Sequence, residues 1–97
     1  MKTARLKKHT AEPLETKTML FHKYGTPLLK VSDIAQDYLG MNEQTAKRSA
    51  REGTLPIPAF RLSESNKAPW LVSIDHLAAY IDKMRTLAQT DHQKLHA

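Results

Sequence analysis

The sequence predicts a small α+β domain: a pair of short helices, then two strands, then a closing helix. Three observations carry that expectation. Gly40-Met41-Asn42 separates two short stretches of helical periodicity. Ala59-Phe60-Arg61-Leu62 and Trp70-Leu71-Val72 flank a polar turn. Ile74, Leu77, Ala78, Ile81 and Met84 recur at helical spacing.

In chain order, Met1 to Lys17 reads as a flexible basic arm, with Lys2, Arg5, Lys7, Lys8 and Lys17 set against Glu12 and Glu15 and little apolar periodicity. It is either a solubilising tail or a non-specific phosphate contact. The domain proper is expected over residues 18–88. Met19, Leu20, Phe21 and Tyr24 form the first apolar cluster, a turn or short helix broken by Gly25-Thr26-Pro27. Leu28-Leu29-Lys30-Val31 is a short extended run leading into Ser32, read as an N-cap with Asp33 at the positive helix end. The helix that follows, Asp33 to about Leu39, puts Ile34, Ala35, Tyr38 and Leu39 on one side, and Gly40 closes it.

The next helix is the centre of the chain. Over Met41 to Gly53, the residues Gln44, Lys47, Arg48 and Arg51 fall at i, i+3, i+4 and i+7 and share a face. Ala46, Ser49 and Ala50 form the opposite face, small enough for a helix to lie close against a neighbour. Asn42 suits the N-cap, Met41 and Ala46 suit a weak hydrophobic staple, and Gly53 suits the C′ position. Two helices joined by a short glycine-containing turn are the pattern of a helix-turn-helix. A cationic, amide-bearing front on such a helix suits the major groove of DNA, where Arg and Lys bond guanine or phosphate and Gln bonds adenine. The alternative for the same residues is an ordinary solvated helix face.

Pro56 and Pro58 exclude helix after Gly53. Ala59 to Leu62 and Trp70 to Val72 then read as a two-stranded hairpin, a wing whose tip, Ser63 to Lys67, is polar and partly basic. Arg61, Ser65, Asn66 and Lys67 are its candidates for phosphate or minor-groove contact. With 6% aromatic residues there are too few rings for single-strand binding by stacking, and Phe60 and Trp70 read as core or ledge. Ser73 caps the last helix, with Asp75 in its first turn. Leu87 and Ala88 prolong its apolar stripe, either against the N-terminal cluster or as a protomer contact. Residues 89–97 read as a disordered tail.

Composition narrows the function classes. A chain of 97 residues is one domain with tails, burying roughly 60–65% of its unfolded surface. There is no cysteine, so neither a disulfide framework nor a thiolate zinc site. Lys plus Arg number 15 against 10 Asp plus Glu, giving a net charge of +5 and a pI near 9.6. That balance favours polyanions, nucleic acid before acidic membrane. No apolar run approaches the ~20 residues of a membrane span, and the basic start lacks the apolar core of a signal peptide. The expectation is a soluble intracellular protein.

The stretch from Leu28 to Asp82 resembles in outline the winged helix-turn-helix of excisionases and of the MerR DNA-binding domain. More closely, it resembles the pyocin activator protein (PrtN) family. The matching pieces are Asp37-Tyr38-Leu39-Gly40, the Ala46-Lys47-Arg48 helix, Gly53-Thr54-Leu55-Pro56-Ile57-Pro58, Phe60-Arg61-Leu62 and Lys67-Ala68-Pro69-Trp70-Leu71-Val72. The resemblance covers roughly residues 19 to 85. It implies a winged helix-turn-helix with a two-stranded wing and a C-terminal helix, and promoter-proximal DNA binding that activates bacteriocin or prophage genes in the bacterial cytoplasm at the nucleoid. The arm, Met1 to Lys17, departs from that pattern.

The expected site is therefore Asn42, Gln44, Thr45, Lys47, Arg48, Arg51, Arg61, Ser65, Asn66 and Lys67, with double-stranded DNA as partner and no cofactor. An activator role brings in RNA polymerase, and a single small reading head implies a homodimer or a cooperative oligomer on DNA. Met84, Leu87 and Ala88 are the candidate protomer contact. An excisionase-like recombination directionality factor that bends DNA would use the same chemistry. So would a protein-binding winged helix, an inhibitor or antirepressor meeting an acidic partner. An enzyme is not expected: there is no Gly-x-Ser-x-Gly elbow, no phosphate loop, and no evident third ligand for His92 and His96.

Overall fold

A computed structural model describes residues 15–96. Of the arm expected over Met1 to Lys17, residues 1–14 lie outside the described residues, while Thr16 and Lys17 open the first helix. This helix, α1 (Thr16–Tyr24), buries Leu20, and Gly25 ends it by donating its N–H to the Phe21 carbonyl at 2.7 Å. The strand β1 (Leu28–Lys30) leads straight into α2 (Val31–Ile34), which widens into a π turn over Ala35–Leu39. Next come α3 (Glu43–Glu52), β2 (Leu71–Ser73) and α4 (Ile74–His96).

The helix after β1 starts before the expected Ser32 cap, and its N-cap is Lys30 without a side-chain bond. The reason lies in the backbone. The Val31 N–H already donates to the Trp70 carbonyl at 2.8 Å, so the chain turns helical directly out of the strand. The π turn closes at Gly40, whose φ of 66° lies in the left-handed region and whose N–H returns to the Ala35 carbonyl.

Strand pairing departs from the expected hairpin. The two-stranded sheet joins β1 to β2, antiparallel, with Leu28 opposite Ser73, Leu29 opposite Val72 and Lys30 opposite Leu71. The stretch Ala59 to Leu62 contributes a single bridge, in which Phe60 and Leu71 exchange N–H···O bonds of 2.9 and 2.8 Å. Pairing stops there because the following residues bond among themselves. Ser63 Oγ accepts from the Ser65 N–H, Ser65 Oγ accepts from the Lys67 N–H, and the Ser65 carbonyl accepts from the Ala68 N–H. Local hydroxyl turns thus replace a ladder. The result is an α+β arrangement compatible with a winged helix, its wing a hydroxyl-laced loop held by one bridge.

The core draws on every element. Leu20, Leu29, Val31, Ile34, Ala35, Ala46, Ile57, Val72, Ile74, Leu77 and Ala78 are buried together. Alternation in the strands does its share, since Leu29 and Val72 face inward as a cross-strand pair. Helix α4 packs on α1 through this core, with Thr16 Oγ1 donating to Asp82 at 2.6 Å and Lys17 within 3.4 Å of Asp75. The expected Ser73 cap is present: its Oγ accepts from the His76 N–H at 3.0 Å.

Where a disordered tail is expected over residues 89–97, α4 stays helical through His96. No glycine or proline interrupts the chain after Ser73, and Ala, Leu, Gln and Lys there are good helix formers. Leu87 is 47% exposed and Met84 44%, and neither is among the half-buried hydrophobics packed against the core. No described helix is long and apolar enough to cross a membrane.

Candidate nucleic-acid interface

Helix α3 has the local chemistry expected of it. Asn42 is its N-cap, and the side-chain carbonyl accepts from the Thr45 N–H at 2.8 Å. Gly53 ends it at φ 74°. Ala46 and Ala50 are buried and Ser49 half-buried, so the small face lies against α2 and the π turn. Burying that face fixes the opposite one outward: Gln44, Arg48 and Arg51 are exposed.

Beside α3 runs a groove of about 520 Å³. Glu43, Lys47 and Arg51 line it from the helix, Lys30 and Ser32 from the end of β1 and the start of α2, and Arg61, Asn66 and Lys67 from the wing loop. Trp70 supplies an apolar wall, and the Arg61 guanidinium stacks on its ring at 4.7 Å. Arg61 also donates to the Ser65 carbonyl at 3.3 Å. Lys47 Nζ lies 2.9 Å from Glu43 Oε2, one turn back along the helix. Cations outnumber acids among the lining residues: Lys30, Lys47, Arg51, Arg61 and Lys67 against Glu43. Concave walls with charge of one sign focus the field on an anion.

The expected site residues separate into groups. Lys47, Arg51, Arg61, Asn66 and Lys67 meet in the groove. Gln44 and Arg48 lie exposed on the same helix outside it. Asn42 has its side-chain acceptor committed to the cap, and Thr45 is half-buried on the flank. Ser65 is engaged in the turns of its own loop. Sequence reasoning missed Lys30 and Glu43. Lys30 reaches the groove only because β1 pairs with β2, a long-range relation that no local pattern announces. Glu43 was legible as the residue after the cap, one turn before Lys47.

A family comparison bears on this arrangement: the model described as pyocin activator protein PrtN matches residues 16–88, from the start of α1 into α4. The chain belongs to the pyocin activator family. This is a family of gene activators of prophage and bacteriocin type, not one of enzymes. No curated protein and no solved structure gives a match. Among the described residues no three His, Asp or Glu side chains gather as a metal site.

Proposed function

We propose that this pyocin activator family member binds double-stranded DNA with sequence preference and thereby switches on bacteriocin or prophage genes, working in the bacterial cytoplasm at the nucleoid. The observation that carries the reading is the cationic groove flanked by the exposed face of α3. Gln44, Arg48 and Arg51 read base edges in the major groove. Lys30, Lys47 and Lys67 bond phosphates, while Asn66 and Arg61 approach the backbone from the wing loop. Asn42, Thr45 and Ser65 act through the helix cap and the loop turns that aim these side chains. Copies act together on repeated sites, with Met84, Leu87 and Ala88 of α4 as the protomer contact, and RNA polymerase is the further partner.

The test is a selection of genomic fragments by the purified protein, sequenced after washing at low and at about 200 mM salt. Enrichment of promoter fragments sharing a motif, lost in the Gln44→Ala, Lys47→Ala, Arg48→Ala, Arg51→Ala combination, supports the reading. Unchanged binding by that variant refutes it.

A second reading, an architectural factor that bends DNA for recombination, rests on Leu62. This side chain is 75% exposed next to Arg61 in the wing loop, where an apolar wedge can enter a base step. A permuted-site bending assay separates the two: a sharp bend abolished by Leu62→Ser favours the architectural role.

A further inference from the structure

The groove beside α3 holds one acidic side chain among its lining residues, and its position is not what phosphate binding would select. Glu43 is the first residue of α3, directly after the Asn42 cap. Its side chain is 56% exposed, lines the groove and lies 2.9 Å from Lys47 Nζ. Around it stand Lys30, Arg51, Arg61 and Lys67. A carboxylate offers no donor to a phosphate and repels it. It also competes with phosphate for the Lys47 ammonium. For a surface that only gathered polyanion, this residue would be a defect.

We propose that Glu43 is a specificity-determining residue of the DNA-reading face: its carboxylate accepts a hydrogen bond from the exocyclic amino group of cytosine, N4, and holds non-cognate backbone off α3. The inference rests on the DNA-binding reading above. Residues at the start of a recognition helix are the ones that reach base edges. In the major groove, cytosine presents an amino donor where guanine and thymine present acceptors, and adenine sets its N7 acceptor beside the N6 amino group. On a matching base the carboxylate gains a donor. On a mismatched base it faces an acceptor and is left unpaired. On non-specific DNA it stays with Lys47 and withdraws that cation from the phosphates. The same residue thus lowers general affinity and raises discrimination.

A helix-stabilising role is the competing account, because an acid in the first turn and an i, i+4 pair with Lys47 both favour α3. The experiment separates them. Full-length wild type, Glu43→Gln and Glu52→Gln are measured on a duplex selected by the wild type and on a random duplex, with helix content followed by circular dichroism. Glu52 is exposed on α3 and does not line the groove, so its variant reports loss of charge alone.

Glu43→Gln is expected to tighten binding to the random duplex. It lowers the ratio of selected to random affinity by about tenfold, and re-selection loses preference at one C position or moves it to A, the base glutamine pairs with through N6 and N7. Glu52→Gln shifts both duplexes alike. An unchanged ratio in Glu43→Gln, or an equal fall in both affinities together with helix content, overturns the assignment while leaving DNA binding intact. Failure of the wild type to bind either duplex overturns the DNA reading itself and this inference with it.

Discussion

The Arg61 guanidinium lies 4.7 Å from the centre of the Trp70 ring while donating to the Ser65 carbonyl at 3.3 Å. Those contacts tie both ends of the wing loop together across the Phe60–Leu71 bridge. The side chain expected to touch nucleic acid is thus also a strut of the surface that presents Asn66 and Lys67. Trp70 is the single tryptophan of the chain, so its emission reports on the strut. Arg61→Ala is expected to shift that emission to the red and to cost about 0.5–1 kcal/mol of stability. Arg61→Lys, which keeps charge but loses the planar stack, falls between. Identical emission in all three proteins would dismiss the strut.

The cations of the groove differ in what they are expected to contact, and salt separates them. Lys30→Ala and Lys67→Ala should weaken binding to every duplex alike and reduce the salt slope by about one unit each. Arg51→Ala should cost about 1–3 kcal/mol on a selected site and flatten preference at one base pair. Titrations at several salt concentrations on selected and random duplexes give both quantities. A Lys30→Ala protein with an unaltered slope removes Lys30 from the interface.

Helix α3 depends on its cap and its small face. Asn42→Ala removes the acceptor of the Thr45 N–H and is expected to destabilise the domain by about 1 kcal/mol. Ala46 is fully buried, and Ala46→Leu forces extra volume between α3 and its neighbours at a cost of about 1–3 kcal/mol. Urea denaturation measures both. A neutral Ala46→Leu would mean that the helices have room to separate.

Alkali acts on the contact between α1 and the π turn. Lys23 Nζ donates to the Tyr38 hydroxyl at 3.3 Å and lies over the rings of Tyr24 and Tyr38. The Tyr38 hydrogen bond, and then the charge of Tyr24, hold the Lys23 ammonium above its ordinary value of 10.5. Burial is the main reason that the Tyr24 phenol lies above its ordinary value of 10.0. For both groups the folded value exceeds the unfolded one. Their contribution is therefore complete below the unfolded values and is lost as pH rises through the folded ones. Stability should be insensitive to these groups from neutrality to about pH 10 and should fall above it. Tyr38→Phe should flatten part of that fall in denaturation curves taken between pH 9 and 12.

The exposed end of α4 gives the remaining expectation. Met84→Glu combined with Leu87→Glu should leave the fold unchanged, since both side chains are about half exposed, and should abolish self-association on DNA. Sedimentation of the free and DNA-bound protein reads this directly. A wild type that is monomeric in both states rules out the contact.

What was legible in the sequence was local. Asn42, Gly53 and the spacing of Ala46 and Ala50 specify α3 through bonds that span a few residues, and the structure has them where expected. The strands were not legible in the same way. Phe60-Arg61-Leu62 alternates as well as Leu28-Leu29-Lys30 does, and periodicity cannot say that Leu71 sits between Lys30 and Phe60, with the ladder continuing on the β1 side alone. Burial decides it: Leu29 and Val72 meet in the core, while Leu62 stays in solvent. Lys30 was overlooked for that reason, because its place in the groove follows from the pairing and not from its neighbours in the chain. The end of α4 was misjudged differently. Polar composition after Gln89 resembles a tail, yet nothing in it stops a helix already started by Ser73.

The pairing of β1 with β2 sets an order of events during synthesis. Leu28 to Lys30 emerge from the ribosome well before Leu71 to Ser73, their partners in the sheet. Between them lies the whole of α2 and α3, and Val31, where α2 begins, is held by the Trp70 carbonyl. A nascent chain ending anywhere before Trp70 therefore cannot close its core, whatever helix it has nucleated. Contacts this distant in sequence make folding slower than a helical pair of the same size would allow. Until Trp70 to Ser73 are made, α2 and α3 lack the strand that closes the core beneath them, so a chain cut short before Trp70 is expected to leave α3 unsupported.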